Sequence, residues 1–180
     1  DGTTNATIYD ALGRVAVEVD QSGVSNAFGY DALGRLTSVT NALGTTNQTV
    51  TAYAYNEAGN LLRQQDAKQR VTRYEYDGLG RRIASVLPLG QRSGTLYNPV
   101  GNVAAATNFN GQVITYEYDA NHRLSTKRLP DGTSVVYAYT PTGRRARVAM
   151  FNASRSASNV WSFAYDARDR LLSRTDPDGR

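Results

Sequence analysis

The chain has 180 residues, with 20 Lys plus Arg against 16 Asp plus Glu, one His, no Cys and a net charge of +4. This length suits one globular domain, and the composition is neither that of a disordered chain nor of collagen. Without cysteine there is no thiol or disulfide chemistry, and a single His removes the commonest zinc sites and nucleophile–base pairs, so neither an enzyme, a cofactor nor a metal is expected. Lack of cysteine is compatible with either redox compartment. The opening Asp1-Gly2-Thr3-Thr4 has no basic-then-apolar pattern and no long apolar run follows, so neither signal peptide nor membrane span is expected. The only Met is Met150, which suggests an excised or processed fragment.

From the start, the chain repeats itself. A tyrosine is followed by Asp or Asn, two variable residues, then Gly and Arg: Tyr9-Asp10-Ala11-Leu12-Gly13-Arg14, then Tyr30-Asp31 with Gly34-Arg35. The pattern continues with Tyr55-Asn56 and Gly59-Asn60, Tyr76-Asp77 and Gly80-Arg81, and Tyr97-Asn98 and Gly101-Asn102. It closes with Tyr118-Asp119 and His122-Arg123, Tyr139-Thr140 and Gly143-Arg144, and Tyr165-Asp166 and Asp169-Arg170. The tyrosines are 21, 25, 21, 21, 21, 21 and 26 residues apart, so eight tandem units fill residues 1–180.

A second punctuation falls fourteen residues after each tyrosine, at Gly23, Gly44, Gly90, Gly111, Gly132 and Gly179, with Gln69 and Ala153 departing. A constant interval puts the two insertions later, within Thr45 to Ala54 and Ser154 to Ala164. Gly2 precedes Tyr9 by the regular distance, and Asp178-Gly179-Arg180 ends in the same phase, so the chain is expected to be a piece of a longer array.

Between these turns the segments alternate and are rich in β-branched and aromatic residues, as in Thr133-Ser134-Val135-Val136-Tyr137-Ala138-Tyr139. Tyr53, Tyr74, Tyr116 and Tyr137, with Phe28 and Phe163, stand two before an anchor and so share its strand face. All five prolines fall in turn slots: Pro99 and Pro141 two after the anchor, Pro88, Pro130 and Pro177 twelve after it. Gly in the first turn supplies a left-handed residue, and His122 and Asp169 are among the types that tolerate that conformation in its place. The prediction is all-β: hairpins with strands of about seven residues, roughly 23 Å long. Sixteen such strands would span about 75 Å, too wide to stay open and flat, so a curved, spiralling sheet is expected. Neighbouring units should stabilise one another.

The 21-residue unit carrying Tyr116-Glu117-Tyr118-Asp119, or Tyr30-Asp31-Ala32-Leu33-Gly34-Arg35-Leu36, with a closing Pro130-Asp131-Gly132, resembles the Rhs or YD repeat. Similar proteins include bacterial Rhs and wall-associated polymorphic toxins, the C component of insecticidal toxin complexes, and teneurins. The resemblance implies a hollow shell of β-sheet ribbon enclosing a C-terminal toxin or effector in a secreted delivery protein. A cell-surface or extracellular adhesion module with a glycan or protein ligand is the alternative. The expected partners are neighbouring repeats and the enclosed domain, and the expected location is secreted or at the cell surface. Asp176-Pro177-Asp178-Gly179 is similar to the family's self-cleavage motif, but it falls in the closing-turn slot and reads as a turn. Arg14, Arg35, Arg81, Arg123, Arg144 and Arg170 share one slot beside a turn carboxylate or amide, which favours structural contacts over nucleic-acid binding. Arg63, Arg73, Arg82, Arg128, Arg145, Arg147 and Arg174 lie off that slot and are the candidates for a basic face.

Overall fold

A computed structural model of the chain describes residues 5–179, which excludes Gly2 and Arg180 of the terminal turn assignments. Two compact units divide it, one running to Gln91 and the other starting at Arg92. The first contains β1 (Ala6–Tyr9), β2 (Val15–Val19), β3 (Ser25–Tyr30), β4 (Leu36–Asn41), β5 (Thr49–Tyr55), β6 (Leu61–Gln65), β7 (Val71–Tyr76) and β8 (Arg82–Val86). The second contains β9 (Arg92–Tyr97), β10 (Val103–Thr107), β11 (Val113–Tyr118), β12 (Leu124–Arg128), β13 (Ser134–Tyr139), β14 (Arg145–Phe151), β15 (Ala157–Tyr165) and β16 (Leu171–Thr175). Within each unit every strand pairs antiparallel with the next, giving an eight-stranded meander of hairpins. The described residues contain no helix, so the fold is all-β as expected.

Most strands have five or six residues rather than seven, because each first turn consumes five positions. In the first unit's turn Asp10 N donates to Arg14 O at 2.8 Å and Gly13 N donates to Asp10 O at 3.0 Å, a three-residue loop ending in a left-handed residue. That residue has positive φ in every repeat, from Gly13 at 77° to His122 at 60° and Asp169 at 59°, so the two substitutions keep the conformation that glycine supplies elsewhere.

A β-bulge recurs at the anchor tyrosine. Glu117 pairs with Thr126 but Tyr118 pairs with Leu124, which leaves Ser125 as the extra residue, and the same shift occurs before Tyr30, Tyr55, Tyr76, Tyr139 and Tyr165. Bulges increase local twist.

The insertions are handled differently from one another, and one corrects the constant turn interval. The first becomes a longer loop between Asn41 and Thr49, with Ala42 at φ 50° and Gly44 at φ 75°. The second lengthens β14 to seven and β15 to nine residues, and the turn moves on to Asn152–Arg155. Arg155, at φ 62°, is the left-handed residue of that turn, two positions beyond Ala153, where the constant interval put the turn slot. The two extra residues of β14 carry the strand past the usual turning point.

There is almost no core in the ordinary sense. Ala149 is 0% exposed, Ala84 3% and Thr126 9%, and no large side chain is fully buried among the described residues. Cohesion therefore comes from ladder hydrogen bonds, cross-strand side-chain pairs and the contacts at the turns.

Candidate functional site

The recurrent tyrosine, acid and arginine form one connected structure at the first-turn edge. The Asp carboxylate splits its two oxygens between backbone and side chain. Asp31 Oδ1 accepts from Leu33 N at 3.0 Å and Arg35 N at 2.9 Å, while Oδ2 accepts from Arg35 Nε at 2.7 Å. Asp10 with Arg14, Asp77 with Arg81, Asp119 with Arg123 and Asp166 with Arg170 repeat this with the same 2.7 Å contact. Hydrogen bonds from the arginine backbone N–H, then from its guanidinium, hold the Asp10 and Asp166 carboxyls below the ordinary range. At Asp77 the guanidinium contributes most.

The arginine then reaches into the next repeat. Its Nη1 donates to a turn carbonyl, Arg35 to Asn56 O at 2.8 Å, Arg123 to Thr140 O at 3.3 Å and Arg14 to Asp31 O at 3.4 Å. Its guanidinium also lies over the next anchor ring, 4.6 Å from the centroid for Arg14 over Tyr30, 5.1 Å for Arg35 over Tyr55 and 4.5 Å for Arg123 over Tyr139. The phenol returns the link: Tyr30 Oη donates to Val15 O, Tyr55 to Leu36 O, Tyr76 to Leu61 O, Tyr118 to Val103 O, Tyr139 to Leu124 O and Tyr165 to Arg145 O, all at 2.8–2.9 Å. Burial, with the neighbouring Tyr116 phenol, raises the Tyr118 hydroxyl above its ordinary value.

Two departures from the motif are matched pairs. Where the acid is Asn56 or Asn98 the arginine is Asn60 or Asn102, and the amide oxygen still accepts the backbone N–H at 2.8 or 2.9 Å. Thr140 leaves Arg144 without an acid in its own turn, and Arg144 Nε lies 3.9 Å from Asp169 Oδ2 of the following repeat. Asp66 and Arg70 build the same box in a second turn, around Gln69 at φ 61°.

Sequence reasoning placed the arginine beside the acid but missed its stacking on the next tyrosine, although the spacing of Arg14 to Tyr30 and of Arg123 to Tyr139 is the same. Of the off-slot arginines, Arg82 and Arg145 lie over Tyr74 and Tyr137 at 5.5 and 5.3 Å, Arg128 pairs with Glu117 at 3.0 Å and Arg174 with Asp176 at 2.6 Å. Asp176 closes an ordinary turn, accepting from Gly179 N at 2.9 Å. No group of three or more metal-ligating side chains occurs among the described residues.

These features define a tandem hairpin-repeat protein whose units are joined edge to edge by a side-chain ladder. The RHS Repeat family model matches residues 9–46, 55–92, 97–134, 118–155 and 153–180, and the chain belongs to that family. Among solved structures it is similar to the crystal structure of TcdB2-TccC3-Cdc42, with a TM-score of 0.74 and 19% identity over 93% of this chain and 10% of that one. The structure of TcdB2-TccC3 without its hypervariable C-terminal region matches at TM-score 0.56 and 18% identity, over 96% of this chain and 13% of that one. The Tc holotoxin pore of Photorhabdus luminescens matches at TM-score 0.52 and 16% identity, over 96% and 11%. These likenesses are of fold, and the chain spans about a tenth of the length of the chains it matches. No curated protein matches.

Proposed function

We propose that these repeats are wall: a structural segment of an Rhs-type shell that separates a C-terminal toxin or effector domain from its surroundings in a secreted delivery protein. The observation that carries this reading is the fold likeness to TcdB2-TccC3 over 93% of the chain. The ladder supports it. Where the motif is complete, at Arg14, Arg35 and Arg123, the arginine reaches the next repeat, and the anchor phenol reaches back to the preceding one, so the motif serves continuity along the sheet. Tyr9, Asp10, Gly13 and Arg14, with their counterparts in later repeats, are structural residues in this reading, and the repeats perform no chemistry.

Limited proteolysis of the full-length protein tests the proposal. A C-terminal segment should stay protected and remain associated with the repeats after the backbone linking them has been cut. Free digestion of that segment while the repeats remain intact would reject enclosure and favour the adhesion module.

A further inference from the structure

The first turn of the Tyr139 repeat lacks its acid, and the two tasks of that acid are divided between two repeats. In a complete turn one carboxylate accepts from the arginine backbone N–H through one oxygen and from the arginine Nε through the other, as Asp31 does for Arg35. In the Tyr139 repeat Thr140 Oγ1 accepts from Arg144 N at 3.0 Å, and the oxygen facing Arg144 Nε is Asp169 Oδ2 of the next repeat, 3.9 Å away. Asp169 is held a second time. Thr142 Oγ1 donates to Asp169 Oδ1 at 2.6 Å, and the Thr140 and Thr142 hydroxyls are 2.9 Å apart. An ionised carboxylate only accepts, so Thr142 gives its proton to Asp169 and Thr140 gives its own to Thr142. A chain of hydroxyls thus joins the turn of one repeat to a carboxylate of the next.

Asp169 reaches across because of where it stands. It holds the left-handed position of its turn, at φ 59°, and that position points at the arginine slot of the preceding repeat. A Cβ added at Gly34 would lie 3.6 Å from Arg14 Nη1, one at Gly143 3.8 Å from Arg123 Nη1 and one at Gly80 3.6 Å from Asn60 Nδ2, whereas at Gly59, which follows the first insertion, it would meet nothing within 4 Å. Arg14 and Arg123 are the arginines stacked on the next tyrosine, and glycine leaves them room. Both first turns that carry a side chain at this position use it on the preceding slot: His122 Nδ1 lies 3.5 Å from Asn102 Nδ2, and Asp169 meets Arg144. Arg155, left-handed at a second turn, makes no side-chain hydrogen bond or ion pair among the described residues.

We propose that the left-handed position of the first turn selects its neighbour, and that Asp169 is a specificity-determining residue which recognises the turn of Thr140, Thr142 and Arg144 and fixes the Tyr165 repeat next to the Tyr139 repeat. Ladder hydrogen bonds are alike in every hairpin and do not tell one repeat from another, and misassembly is a characteristic failure of repeat chains. Docked on the Tyr97 repeat instead, Asp169 would face Asn102 and Val100 and find neither the cation nor the hydroxyl. Docked on the Tyr139 repeat, His122 would leave Arg144 with no acid from either turn. The partner recognised is a repeat of this chain, so the inference stands whether or not the array encloses a further domain.

Thermal denaturation of the full chain tests this through the sign of one substitution. Glycine is the residue that the left-handed conformation itself favours, so Asp169→Gly separates recognition of the neighbour from mere tolerance of the turn. In the parent it should lower the midpoint by about 2 °C, the shift expected for losing a hydrogen bond to a charged group in a chain of this length. In a background of Thr142→Val with Arg144→Gln, where the contacts are already gone, the same substitution should raise the midpoint. A transplant tests the pairing at a second place and stands even if that background fails to fold. Asn102→Arg with His122→Asp rebuilds the pair between the Tyr97 and Tyr118 repeats, and the double variant should melt higher than the two single shifts add up to. Asp169→Gly acting with the same sign in both backgrounds, or additive shifts in the transplant, overturns the proposal.

Discussion

At the residue scale, one glycine and one acid carry most of the turn. Gly80 has φ 75° and Gly78 does not have positive φ, and an added Cβ meets only the Asn60 amide, Nδ2 at 3.6 Å and Oδ1 at 3.9 Å, in the first case and nothing within 4 Å in the second. The penalty at Gly80 is thus one of backbone conformation rather than space. Gly80→Val is expected to cost about 1–2 kcal/mol, and Gly78→Val to fall within about 0.5 kcal/mol of the parent. Equal shifts in the denaturation midpoints of the two variants would contradict the turn assignment.

The acids make the stability pH-dependent in a definite direction. Asp10, Asp31, Asp77, Asp119 and Asp166 are held below the ordinary carboxyl value of 3.8 by hydrogen bonds from the arginine four residues on. Since the folded value is the lower one, the unfolded chain takes up protons first on acidification. The contribution is complete above the ordinary Asp range and is lost as pH falls through the folded values. The thermal midpoint should therefore stay level from neutral pH to about pH 4 and fall below it. A decline that is already complete at pH 5 would assign the acid sensitivity to other groups.

At the scale of elements, the hairpins were legible because two signals coincided. Glycines at fixed offsets mark left-handed residues, and prolines avoid ladder positions, so the turns could be placed before any strand was identified. His122 and Asp169 were legible for the same reason, through the conformation their side chains tolerate. The bulge beside each tyrosine was not legible, because the extra residue, Ser125 or its equivalents, differs in type from repeat to repeat. Nor was the shifted turn at Arg155, since nothing in the type of Arg155 favours positive φ and Ala153 occupied the expected slot. The shift makes its own prediction. Arg155→Gly should stabilise the protein by about 0.5–1 kcal/mol by relieving the left-handed arginine, whereas Ala153→Gly should give no gain. Paired thermal denaturation curves decide it, and a larger gain at position 153 would restore the constant turn interval.

At the scale of the whole molecule, the ladder explains how a sheet with almost no buried core holds together. Arg14, Arg35 and Arg123 are each bound by their own turn, hydrogen-bonded to the next and stacked on that repeat's tyrosine, so continuity is enforced from side chains as well as from backbone. Such a construction suits a surface that must extend without a second layer behind it. The most direct test of the wall is an electron cryomicroscopy reconstruction of the full-length protein. The repeats should form a continuous sheet around a cavity, with density for the C-terminal segment inside. Repeats laid out as an open arm, with that segment exposed beyond them, would contradict it.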